Sequence, residues 1–187
     1  MRYSDDHKAK THQRIIEEAA RLFRRDGIGA TGLQPLMKTL GLTHGGFYAH
    51  FKSKDELVET ALAHSAEQLS GRTQQLFASE EPLATFIRGY LSSAHCANPG
   101  EGCPLPTMSA ELGQRGQPSP VTDQLVEKRL KSIEGCLSGD NAAEQSVILL
   151  SAVIGALVLA RSVSDPKLSE RLLKTARQQL LEQVEAD

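Results

Sequence analysis

Cysteine, β-strand patterning, long apolar runs and net positive charge are all scarce in this chain, and each scarcity removes a class of protein. The three cysteines, at 96, 103 and 136, are an odd number without a repeated spacing, so no disulfide framework organises the fold. Residues 1–10 are polar and charged, unlike a secretory leader, and a reducing cytoplasm is the expected setting. The longest apolar run, residues 147–160, is broken only by Ser151 and Gly155. As a helix it covers about 21 Å against the ~30 Å of a bilayer core, which predicts a buried helix and no membrane span. Period-two alternation is nearly absent, and neither repeats nor low-complexity tracts occur.

A formal net charge of -2 argues at first against nucleic-acid binding, which needs positive charge to displace counterions from phosphates. The distribution reverses that. Residues 1–54 hold ten Lys and Arg against five Asp and Glu, and the remainder holds eleven against eighteen. A basic head is joined to an acidic body, the pattern of an electrostatic footprint confined to one part of the chain.

The expected class is all-α. Ile15, Ile16, Ala19, Ala20 and Phe23 recur at helical spacing opposite Arg14, Glu17, Glu18, Arg21 and Arg25, and Gly27 ends that helix. Thr31 is placed to cap a short second helix through Leu33, Leu36, Met37 and Leu40, which Gly41 stops. Thr43 is an N-cap candidate for a third, and Ser53 with Glu56 reads as a capping box opening a longer helix toward Leu76. One helix is expected from Pro82 through Leu91 to the break at Asn98-Pro99-Gly100. A short segment at 108–112, a loop at 113–120, and helices across 121–136, 142–163 and 166–184 follow.

Two short helices around a tight glycine-containing turn form a helix-turn-helix, whose second helix enters the major groove. The chemistry after Thr43 supports that use. Gly45 and Gly46 each cost about 1 kcal/mol relative to Ala in a helix, so packing alone does not favour them. Without side chains they admit the backbone close to bases or phosphates, His44 reaches a base, and Thr43 donates to a phosphate. Tyr48, His50 and Lys54 supply hydroxyl, imidazole and ammonium groups toward the sugar-phosphate chain, while Phe47 and Phe51 face inward.

The run Gly41-Leu42-Thr43-His44-Gly45-Gly46-Phe47-Tyr48-Ala49-His50-Phe51-Lys52-Ser53-Lys54-Asp55-Glu56-Leu57 closely resembles the signature of the TetR family of bacterial repressors. The resemblance covers roughly residues 10–60. It implies a three-helix DNA-binding head over 1–52 and a helical effector-binding and dimerisation bundle over 53–187. It further implies a homodimer formed through the last two helices, a palindromic double-stranded operator as partner, and a small-molecule or electrophile effector. Neither cofactor nor metal is implied. Gly32 departs from the Ser or Thr usual at the start of the second helix, which leaves the capping, and with it the phosphate contact there, to Thr31 as a DNA-binding residue. Gln34 matches a position that faces DNA in the family, and glutamine reads adenine through a bidentate pair.

For the effector, Phe86, Tyr90 and Met108 are candidate pocket walls and His95 a polar anchor, although such residues equally build plain core. Cys103 fits two readings: a thiol sensor activated at a helix start, or a buried small apolar residue. His95, Cys96, Glu101 and Cys103 lack the paired spacing of a metal site. An enzyme using Cys103 with His95 has no third orienting residue, and no phosphate loop, dinucleotide fingerprint or zinc-protease motif occurs. The expected function is therefore that of a cytoplasmic DNA-binding regulator without catalysis.

Overall fold

The apolar residues Ile15, Ile16, Ala19, Ala20 and Phe23 turn one face of the first helix, α1 (Arg2–Asp26), inward. The computed structural model describes residues 2–186, with side chains from 6 to 185, and no β-strand occurs among them. After α1 come α2 (Leu33–Thr39), a 3₁₀ helix (His44–Ala49), α3 (Lys54–Phe77), α4 (Pro82–Tyr90) and α5 (Ser93–Ala97). A 3₁₀ turn (Pro99–Glu101), a π-helical turn (Leu105–Ser109), α6 (Ala110–Gln114), α7 (Pro120–Glu134), α8 (Ala142–Ser162) and α9 (Pro166–Ala186) complete the order. These elements divide into two compact units: residues up to 68 with 100–121, and residues 69–99 with those from 122 onward.

The first unit has its own core, in which Phe23, Ile28, Leu36, Met37, Phe47, Leu57 and Met108 are fully buried. Gly41 closes α2 in the left-handed conformation, φ +72°. Its N–H donates to the Lys38 carbonyl and that of Leu42 to Met37, a Schellman arrangement that leaves Leu42 packed on the core. At α3 the Glu56 N–H donates to Ser53 Oγ at 3.1 Å, as the capping box requires. The Glu56 carboxylate, however, accepts from the Lys52 N–H at 2.6 Å, one residue earlier than the box predicts.

In the second unit, α8 packs along α9, and α4 lies against both. The single helix expected from 82 to 98 is two. Ser92 Oγ donates to the Gly89 carbonyl and accepts from the His95 N–H, which ends α4 and caps α5. The expectation that the apolar run is a buried helix is also corrected. Leu149, Val153 and Leu157 point inward, but Val147, Ile148, Val158 and Leu159 are 39–57% exposed, and only 28% of the apolar window is buried. By length and composition α8 would suffice to cross a membrane; one face packs on its neighbours and a second apolar face is uncovered.

Candidate nucleic-acid interface and effector region

Thr43 fixes the start of the 3₁₀ helix. Its backbone is extended, φ -80° and ψ 151°, and its side chain accepts from the Gly46 N–H at 3.2 Å. Adjacent glycines disfavour a regular α-helix, and a six-residue 3₁₀ helix forms instead. Phe47 is buried and stacks on Phe51 with centroids 5.6 Å apart. With these rings inside, Tyr48 stands 61% exposed and meets the His44 ring edge-on. Thr43, His44 and Gly45 are exposed beside it, and Gln34 is exposed on α2, which packs on the 3₁₀ helix. A Cβ at Gly46 would come 3.3 Å from Thr43 Oγ1, so this glycine serves the cap. One at Gly45 would meet nothing within 4 Å.

Three other residues expected on this face are engaged inside the unit. Thr31 does not cap α2: the N-cap is Gly32, without a side-chain bond, and Thr31 is buried with its hydroxyl donating to the Gly27 carbonyl at 2.7 Å. Lys54 is half-buried and its ammonium donates to the Ile28 carbonyl at 2.5 Å. Burial, and secondarily Arg115, hold it below the usual lysine value, while Glu111 and Asp55 oppose. His50 is half-buried 5.9 Å from His12, whose ring stacks on Phe51. Burial chiefly, then His12 and Lys8, push the His50 imidazole below the ordinary histidine value. Lys38 and Lys52 remain as exposed cations on this unit that sequence reasoning passed over.

A further residue, invisible from sequence, holds the turn between α1 and α2. The Glu111 carboxylate on α6 accepts from the Ile28 N–H at 2.5 Å and the Gly29 N–H at 2.7 Å, and pairs with Arg115. A Cβ on Gly29 would lie 2.9 Å from both Glu111 Oε1 and Arg115 Nη2, so a side chain there would push the ends of these two flexible side chains off the turn. Lys54 on the carbonyl side and Glu111 on the amide side thus grip the turn that leads from α1 into the helix-turn-helix.

In the second unit the rings of Phe77, Phe86, Tyr90 and His95 form a ladder with successive centroids 5.6, 5.4 and 4.8 Å apart. His95 Nδ1 lies 2.7 Å from the Tyr90 carbonyl, which assigns the proton to Nδ1. Burial pulls this imidazole below its ordinary value; the carbonyl bond opposes and Arg161 adds. Arg161 fixes the backbone here, donating to the carbonyls of Cys96 and His95 at 3.1 and 2.6 Å. The sequence-predicted Phe86, Tyr90 and His95 are therefore brought together. Cys103, 5% exposed, and Met108, fully buried, belong to the first unit. Sequence reasoning missed Arg129, buried on α7 over Phe77 and Phe86. The signal was its place in the Leu125, Arg129, Ile133 stripe, a charge where the helical period puts apolar residues.

A glycine-marked, short-helix motif presenting polar groups on a basic all-α head defines a helix-turn-helix DNA-binding protein. A profile of bacterial regulatory proteins of the tetR family matches residues 15–61. The chain is 34% identical over 86 residues to the transcriptional repressor KstR2 of Mycolicibacterium smegmatis, spanning 46% of this chain and 42% of that protein. It is 24% identical over 172 residues to the transcriptional regulator LmrA of Bacillus subtilis, with 86% and 88% covered. The first of these matches spans less than half the relative's length. Its fold is that of Escherichia coli NemR in the reduced form, TM-score 0.71 at 19% identity, over 91% of this chain and 95% of the other. Over residues 15–61 the chain is similar to the DNA-binding segment of the tetR-family bacterial regulatory proteins, and the likeness to transcriptional regulators is specific to that part.

Proposed function

We propose that the protein is a cytoplasmic homodimeric repressor that reads a palindromic operator and is released from it by a small effector. Residues 1–52 carry DNA recognition and residues 53–187 effector binding and dimerisation. The observation that carries this reading is the exposed surface of Thr43, His44, Gly45 and Tyr48 beside Gln34, polar groups around a position bare of side chain. Gln34 and His44 read base edges, and Thr43, Tyr48 and the backbone at Gly45 and Gly46 bind phosphate. Thr31, His50 and Lys54 serve the same face by fixing its frame. Two heads reach half-sites about 34–36 Å apart, one turn of DNA.

The effector sits at the ladder of Phe86, Tyr90 and His95. A thiol-reactive compound at Cys103 is a second route, favoured by position: Cys103 leads through the turn at Leu105–Ser109 into α6, whose Glu111 grips the turn leading into the helix-turn-helix. Bulk added at this buried thiol displaces α6 and with it the grip. The test is a gel shift of the full-length protein on DNA from upstream of its own gene. A shifted band is expected that survives excess random DNA, and His44→Ala lowers operator affinity while leaving random-sequence affinity unchanged. A protein that binds operator and random DNA equally refutes the reading.

A further inference from the structure

Arg129 is 7% exposed, and no acid stands near it along α7: the positions three and four residues away are Leu125, Val126, Ser132 and Ile133. Its guanidinium lies over the Phe86 ring at 5.2 Å and the Phe77 ring at 6.0 Å from the centroids, and among the described residues it has neither an ion pair nor a hydrogen-bond acceptor. An arginine keeps its proton in a folded protein, and a buried charge is retained only where something compensates it. The ring faces attract the cation but do not accept its N–H groups. What remains open is a planar fork of donors, the geometry that a carboxylate meets with two parallel hydrogen bonds.

The surroundings narrow the ligand further. Phe77 and Phe86 lie under the guanidinium and Tyr90 meets Phe86 edge-on, an aromatic face of the kind against which a flat apolar body packs. We infer that Arg129 is the recognition point for the effector's carboxylate, and that the effector is an aromatic acid bound as its anion. This rests on the assignment of effector binding to the second unit. The ligand's carboxylate takes the open edge of the guanidinium, and its ring extends the ladder.

The test is calorimetric titration of the full-length, DNA-free protein with 2-naphthoate and with neutral 2-naphthamide, alongside thermal unfolding in each. A charge-assisted pair of this kind predicts that the acid binds about ten- to a hundredfold more tightly than the amide, and that Arg129→Gln removes the difference. The acid raises the unfolding temperature and the amide does not. Equal binding of acid and amide, absence of acid binding up to millimolar concentration, or unchanged acid binding by Arg129→Gln overturns the inference. If Arg129→Gln does not fold, the wild-type comparison of acid with amide decides alone. Carboxylate-dependent binding by a protein that shifts no upstream DNA upholds the site and removes the repressor reading, so the two fail separately.

Discussion

Gly45 separates the demands of folding from those of binding. It lies outside the left-handed region and a Cβ there meets nothing within 4 Å, so the free protein has no steric need for glycine. Gly45→Ala removes unfolded-state entropy worth about 0.4–1 kcal/mol, an expected rise in melting temperature of about 1–4 °C for a chain of this size. The same methyl group occupies the space proposed for DNA, and operator affinity falls at least about tenfold. Thermal unfolding and a gel shift on one preparation check both signs; unchanged affinity would remove Gly45 from the interface. Much of this face was legible in the sequence, because caps and glycines act locally. The partners of Thr31 and Lys54 were not legible because they are backbone carbonyls, at Gly27 and Ile28, and every residue offers one. Arg129 was overlooked although its register within an apolar stripe was readable.

Among the helices, α6 is short, yet it decides the setting of the turn between α1 and α2 through Glu111. Bonds from backbone N–H groups to a carboxylate contribute about 1.5–3 kcal/mol each, less where solvent reaches them, as it does at this partly exposed side chain. Glu111→Gln keeps one acceptor, loses the charge and presents an amide where two N–H groups converge. The expected result is about tenfold faster hydrogen exchange at the Ile28 and Gly29 amides, a melting temperature lower by a few degrees, and weaker operator binding. Exchange at Leu57, in the core of the same unit, stays as in wild type. Unaltered exchange at Ile28 and Gly29 would show that the carboxylate does not hold the turn. No periodicity announces this contact, since 83 and 82 residues separate the partners. The break between α4 and α5 escaped for the opposite reason: Ser92 acts within three residues, but apolar spacing carries smoothly across it.

At the scale of the whole molecule, α8 carries the strongest mismatch between composition and burial. Hydropathy alone predicted a helix enclosed by its own chain, yet Val147, Ser151 and Gly155 lie four apart on an exposed face with Ile148, Val158 and Leu159 beside them. Small residues at the centre of such a stripe let a second helix approach closely, and the apolar flanks then pack against it. A second copy of the same face meets this requirement by two-fold symmetry, which also supplies two heads for a palindrome. Ile148→Glu tests the arrangement because residue 148 is 57% exposed in the single chain, so the substitution leaves the fold intact. In the proposed dimer it places one unpaired carboxylate from each protomer at the interface, at a cost of several kcal/mol. Sedimentation at about micromolar concentration should change from two chains to one. Operator affinity should fall by about 10²–10⁴, since the second head no longer binds at the high effective concentration set by the first. Leu149→Glu, at a position 3% exposed, should instead unfold the protein, which distinguishes an interface residue from its buried neighbour. An Ile148→Glu protein that sediments as wild type would place the dimer contact elsewhere and leave the apolar face of α8 without its partner.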